Sequence, residues 1–190
     1  MKVVAFNGSP RVDGNTDILL GEALGAIQQS GNMILSFRLN NMNIKPCQNC
    51  GACEETGVCV IEDDMKDIYA AIREGERIII ASPIFFFGLS AQTKIMIDRC
   101  QTLWCEKYLL KKAIPEGVNG RKGLLILVGG MKKDIGIHCG DATAKAFFRS
   151  VSIPAHETIS FLGVDKKGAV LDHPTALLDA YRAGQRLVAS

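Results

Sequence analysis

Five short apolar runs, separated by segments with helical periodicity, constrain the fold of this chain more than any other feature. The runs are Lys2–Phe6, Met33–Arg38, Arg77–Ser82, Gly123–Val128 and Ala155–Phe161. Continuous rather than alternating apolar character marks strands covered on both faces, as in a parallel sheet. Between the first two, Thr16–Gln29 carries Ile18, Leu19, Leu20, Ala23, Leu24 and Ile27 at helical spacing and stops near Gly31, a helix-ending signal. Asp63–Arg73 opens on two carboxylates, which suit the positive end of a helix, and places Met65, Ile68, Tyr69 and Ile72 on one face. Ala91–Leu110, Asp141–Val151 and Ala176–Val188 complete the helical set. This alternation predicts an α/β doubly wound, five-stranded parallel sheet of order 2-1-3-4-5 in a single domain, 1–190. Its ligand crevice lies beyond the carboxyl ends of strands one and three.

At 190 residues and 47% hydrophobic composition the chain can build its own core without covalent staples. Its 22 basic and 20 acidic residues nearly balance, and no basic block with interleaved aromatics occurs, which argues against nucleic acid as a partner. The N-terminal apolar run reaches Asn7-Gly8-Ser9-Pro10 too soon for a signal peptide. Ile78–Met96 is broken by Pro83, Gly88, Gln92 and Lys94, so no membrane span is expected. A cytoplasmic, low-oxygen location is expected.

Two loops extend from the strands that flank the crevice. The first, Asn7–Thr16, joins a strand to a helix N-terminus, where orphan N–H groups and the helix dipole favour an anion. Ser9, Asn15 and Thr16 offer hydrogen bonds and Arg11 a charge. The loop has neither the G-x-G-x-x-G nor the G-x-x-x-x-G-K-[ST] pattern, so a monophosphate such as that of FMN suits it better than a pyrophosphate. A purely structural role, with Asn15 or Thr16 capping the helix, is the competing reading. The second loop runs Ser82-Pro83-Ile84-Phe85-Phe86-Phe87-Gly88, where at least one aromatic is expected at the crevice mouth against a flat ring and others beneath the next helix. Gly88 there, and Gly129-Gly130 after strand four, would allow close approach.

Cys47, Cys50, Cys53 and Cys59 form a C-x2-C-x2-C-x5-C run within a loop, 45–62, after the second strand. Compact runs of this kind hold iron–sulfur clusters, and Gly51 can supply the positive φ that curls the chain. The last gap is longer than in the ferredoxin run and no proline comes after Cys59, so a single four-iron cluster is favoured over a ferredoxin domain. Zinc and a metal-free redox thiol set remain as alternatives. Cys100, Cys105 and Cys139 read as small buried hydrophobes, and Trp104 with Tyr108 as packing or subunit-interface residues. His138 and Asp141 read as a helix start, with Asp141 near its N-terminus.

Asn7-Gly8-Ser9-Pro10-Arg11 with Gly14-Asn15-Thr16, Ser82-Pro83-Ile84-Phe85 with Ser90-Ala91-Gln92 and Ile97-Asp98-Arg99, and the four-cysteine run together resemble the iron–sulfur flavoproteins of the flavodoxin-like, NADPH-dependent FMN reductase superfamily. The resemblance spans nearly the whole chain. It implies a flavodoxin-like fold, non-covalent FMN, a [4Fe-4S] cluster and a homodimer or homotetramer. It also implies that Ser9, Arg11, Asn15 and Thr16 hold the FMN phosphate, that Pro83, Ile84, Phe85, Phe86, Phe87 and Gly88 border the ring, and that Cys47, Cys50, Cys53 and Cys59 ligate iron. Phe85 stands where many members carry tyrosine, and Phe87 where many carry glycine. The expected function is electron transfer by a flavin-dependent oxidoreductase, with a small redox protein such as ferredoxin or a small molecule as donor or acceptor. No side chain is assigned as a catalytic acid, base or nucleophile. The alternatives are an NAD(P)H-dependent FMN or quinone reductase without a cluster, and a zinc- or thiol-based redox-sensing module.

Overall fold

A computed structural model describes residues 1–189. The strands are β1 Lys2–Asn7, β2 Met33–Arg38, β3 Arg77–Phe85, β4 Gly88–Leu89, β5 Lys122–Gly129 and β6 His156–Leu162. The helices are α1 Asn15–Gln29, α2 Ala52–Thr56, α3 Met65–Glu74, α4 Ala91–Arg99, α5 Gln101–Tyr108, α6 Ile135–Ser150 and α7 Ala176–Val188. The sheet order is β2-β1-β3-β5-β6, and the two-residue β4 folds back antiparallel onto β3. The five long strands are all parallel and thus have the order expected from the sequence. The architecture is flavodoxin-like.

Successive strand residues feed two cores. Val4, Phe6, Ile78, Ile80, Leu125 and Leu127 face one side, where Met65, Ile68, Ile72, Met96, Leu103 and Phe148 of α3–α6 cover them. Val3, Ala5, Ile79, Ala81, Leu124 and Ile126 face the other, against Leu19, Ala23, Ile27, Ala180, Ala183 and Leu187 of α1 and α7. Burial on both faces explains the continuous apolar runs. β2 departs from this: Met33 and Leu35 are exposed, because β2 is a sheet edge.

Two helices and one cysteine differ from the sequence reading. The single helix expected over Ala91–Leu110 is two, broken at Cys100. Leu103 N–H bonds the Cys100 carbonyl instead of Arg99's, which accepts from the Tyr69 hydroxyl at 2.8 Å. The helix expected from Asp141 begins at Ile135, because Gly136 and Gly140 pack against Ile84 and Leu127 without giving an apolar signal. Asp141 is therefore mid-helix, where it accepts hydrogen bonds from His156 Nε2 at 2.9 Å and Thr158 Oγ1 at 2.6 Å. Cys139 is exposed on the same helix, not buried as expected, whereas Cys100 and Cys105 are buried.

Candidate functional site

The first loop leaves β1 at Asn7, whose side chain organises the next ten residues. Asn7 Oδ1 accepts from Ser9 N–H at 2.9 Å, and Asn7 Nδ2 donates to Asp17 Oδ1 at 2.6 Å. Asp17 also accepts from Asp13 N–H at 2.8 Å and pairs with Arg38 of β2. An acid in the first helical turn gave no functional signal in the sequence, yet it fixes the loop. Ser90 caps α4 by accepting from Thr93 N–H at 3.3 Å, and its hydroxyl donates to the Gly8 carbonyl at 2.7 Å, so α4 is tied to the first loop.

The N-cap of α1 is Gly14, not Asn15 or Thr16, and no side chain caps it. The first N–H groups of a fifteen-residue helix are thus left for a ligand or water. Asn15 is turned elsewhere: its Nδ2 donates to the Lys166 carbonyl at 2.9 Å and its Oδ1 accepts from Val170 N–H at 3.3 Å. Arg11 Nη1 donates to the Asp165 carbonyl at 3.1 Å, and Ser9 Oγ accepts from Arg11 N–H at 3.2 Å.

A cleft of about 110 Å³ opens here, with Ser9, Arg11, Asn15 and Thr16 on one wall and Pro83, Ile84, Phe85, Gly129 and Gly130 on the other. It runs into a larger, mostly apolar hollow of about 460 Å³ that adds Phe86, Phe87, Met131, Lys133, Gly136 and Leu162. The fold thus brings together the three segments named from the sequence and adds a fourth, at the end of β6. Gly88 lines neither space and pairs with Phe85 in the β3–β4 turn. Lys133 after β5, and Leu162 and Asp165 at the end of β6, were missed, since neither stretch carried a signal of its own.

The aromatic turn differs from expectation in a second way. Phe85, Phe86 and Phe87 are all exposed, so none plugs the core. The left-handed backbone falls on Phe86 (φ 47°) and Phe87 (φ 64°), not on Gly88. Positive φ at both central residues of a two-residue hairpin is the type I′ pattern, which asparagine and glycine adopt far more readily than phenylalanine.

The cysteine loop is curled by left-handed residues at Asn49 (φ 50°), Gly51 (φ 78°) and Gly57 (φ 74°), with the short α2 between the last two. Cys47, Cys50, Cys53 and Cys59 line one small hollow of about 30 Å³ with Gln48, Asn49 and Arg99 among its walls. Among the described residues, no three Cys, His, Asp or Glu side chains converge tightly enough for a single metal ion. Cys53 Sγ lies 3.7 Å from Cys105 Sγ on α5, and burial, with the Cys105 contact adding, pushes the Cys53 thiol up to about 12. Thr102 of α5 donates to the Gly57 carbonyl, which pins the return of the loop.

Both stems of the loop meet at a buried ion pair. Arg99 Nη1 contacts Asp63 Oδ2 at 2.6 Å, with both side chains wholly inaccessible. Burial alone would raise the Asp63 pKa, but hydrogen bonds from Arg99 and the Lys45 and Met65 N–H groups hold it below the usual carboxylate range. Helix α4, about 13 Å long at 1.5 Å per residue, links the two regions: Ser90 touches the first loop and Arg99 lines the cysteine hollow.

Residues 1–148 match the NADPH-dependent FMN reductase family. The chain belongs to that family. It is 42% identical over 103 residues to an iron–sulfur flavoprotein of Methanocaldococcus jannaschii, covering 54% of this chain and 53% of the relative. It is 33% identical over 132 residues to the iron–sulfur flavoprotein of Methanosarcina thermophila, covering 70% and 65%. The match thus spans about half to two thirds of these relatives' lengths. In fold it is similar to an FMN-dependent NADH-azoreductase of Bacillus anthracis in complex with FMN (TM-score 0.72, 16% identity, all of both chains). It is likewise similar to an NAD(P)H:quinone oxidoreductase from Methanothermobacter marburgensis (TM-score 0.69, 15% identity, 100% and 96% covered).

Proposed function

We propose that this protein is an FMN-containing oxidoreductase that also holds a [4Fe-4S] cluster on Cys47, Cys50, Cys53 and Cys59 and passes electrons between a donor and an acceptor. The observation that carries the flavin assignment is the uncapped α1 N-terminus opening into a cleft that continues, between β3 and β5, into an apolar hollow. The phosphate is held by the α1 N–H groups with Ser9, Arg11 and Thr16, while Asn15 holds the 165–170 segment that forms the far wall. Ile84, Phe85, Phe87 and Met131 exclude water beside the ring, and Gly129 and Gly130 let the backbone come close. When bound, FMN supplies one- and two-electron chemistry and the cluster one-electron chemistry.

Four thiols lining one hollow, from a run of this compact spacing, are a donor set that suits an iron–sulfur cluster. That no three metal-ligating side chains converge among the described residues favours, as a second reading, a cluster-free NAD(P)H-dependent FMN or quinone reductase. A related Bacillus subtilis protein, 32% identical over 104 residues, bears the name of a putative NAD(P)H-dependent FMN-containing oxidoreductase. The donor or acceptor in our reading is a small redox protein or small molecule, the assembly a homodimer or homotetramer, and the location cytoplasmic. No described helix is long and apolar enough to cross a membrane.

Anaerobic purification with FMN, iron and sulfide quantified per chain tests this. Flavin bands with about four irons per chain support the cluster flavoprotein. Flavin without iron, in protein that oxidises NAD(P)H rapidly, supports the second reading. No flavin overturns both.

A further inference from the structure

The thirteen residues lining the cysteine hollow include one cation, Arg99, against one acid, Glu54. Arg99 is wholly buried and binds both stems of the loop at once. Nη1 donates to the Lys45 carbonyl at 2.7 Å, two residues before Cys47, and Nη2 to the Ile61 carbonyl at 3.3 Å, two residues after Cys59. Both nitrogens also reach the Asp63 carboxylate, at 2.6 and 3.2 Å. Asp63 in turn accepts from Lys45 N–H at 2.9 Å and Met65 N–H at 3.1 Å. Among the described residues, Arg99 Nε is buried without a partner.

An unpaired guanidinium N–H in a buried place costs free energy unless something accepts its proton. Arg99 lines the hollow and Asp63 does not, so of the two partners it is the arginine that borders the cysteines. A centre built from thiolates carries net negative charge, and such charge is buried only beside a compensating group. Only arginine, with a fixed fork of five N–H donors, can bind two chain stems and a carboxylate and still present another donor.

We propose that Arg99 is the positioning residue and counter-charge of the four-cysteine site: it clamps the two stems of the loop and offers Nε–H and its positive charge to the anionic sulfur centre held there. This rests on the cluster reading of the four cysteines. A cation beside the centre stabilises the form with the extra electron, so it raises the reduction potential. Asp63, behind the cation, opposes that effect.

The test is a redox titration of the cluster, monitored by its spin-resonance signal, in wild type, R99Q, R99K and D63N. FMN per chain reports folding at the distant cleft. R99Q is expected to titrate at lower potential and D63N at higher potential than wild type. R99K keeps the wild-type potential but retains less iron, having lost the fork. Hydrogen exchange of the 47–59 amides in iron-free protein is expected to speed up in R99Q and R99K.

A purely structural clamp would loosen the loop in both R99Q and D63N and move both potentials the same way. That result, or no movement in either, overturns the proposal. Where R99Q does not accumulate, D63N and R99K decide: a D63N potential at or below wild type overturns it. Wild-type protein with flavin but no iron overturns the cluster reading itself, a different result from iron-loaded variants with unchanged potentials.

Discussion

Asn15 and Lys166 lie 151 positions apart in the sequence, yet the Asn15 side-chain amide donates to the Lys166 carbonyl at 2.9 Å. Asn15 is buried at the first turn of α1, and its other polar atom accepts from Val170 N–H. One side chain thus joins the phosphate end of the cleft to the loop that forms its far wall.

Replacing Asn15 with alanine leaves the Lys166 carbonyl and Val170 N–H without these partners. The expected loss is about 1–3 kcal/mol, read as a fall in Tm of a few degrees. FMN affinity should weaken with it, because the 165–170 wall loosens. Fluorescence titration of apo-protein with FMN measures this, and unchanged affinity in a destabilised variant would confine Asn15 to a structural role.

Gly8 sits where no side chain fits. A Cβ there would lie 1.8 Å from Thr93 Oγ1 and 2.8 Å from Ser90 Oγ. G8A should therefore separate the first loop from α4, break the Ser90 bond to the Gly8 carbonyl and cost about 1–3 kcal/mol. Thermal unfolding of the apo-protein gives the number, and an unchanged Tm would refute the contact.

The Phe86–Phe87 turn carries strain that asparagine and glycine would relieve. Left-handed backbone costs an ordinary residue roughly 1–2 kcal/mol, and Phe86 buries nothing in this chain. F86N/F87G should raise the Tm of the apo-protein. The same variant should bind FMN less tightly, since Phe87 lines the hollow. A gain in stability with a loss of flavin affinity would show that the strain is kept for the site.

Asp141 predicts a pH dependence. Burial would raise its pKa, but the Thr158 hydroxyl and the His156 ring, with the His156 and Lys145 charges, bring it below the usual value. A depressed carboxylate stabilises the fold fully above its unfolded pKa of about 3.9, and that stability is lost as pH falls through the folded value. Wild type should thus exceed D141N in stability at pH 5–6 and converge on it below about pH 4. With the Asp141 side chain 38% exposed, solvent screening holds the difference to about 1 kcal/mol. Denaturant unfolding at several pH values reads it, and a gap independent of pH would exclude the carboxylate.

The sequence by itself determined the sheet. Strands covered on both faces must be apolar without interruption, so Val3–Phe6, Ile78–Ala81 and Leu124–Val128 declared a parallel, doubly wound fold. Local spacing also exposed the cysteine run and the curl at Gly51, because three thiols in seven residues can meet only if the chain turns back on itself. Tertiary structure alone decided the rest. Gly136 and Gly140 hid the start of α6, since a glycine that admits a neighbour's side chain looks like an absence of pattern. Cys100 broke the long helix because Tyr69, from another element, took the carbonyl that would have continued it. Asn15, Asp17 and Arg99 found their roles through partners at Lys166, Arg38 and Asp63. Hydrogen bonds and charge pairs are short-ranged and directional, so their partners are set by how the chain packs and leave no period along it.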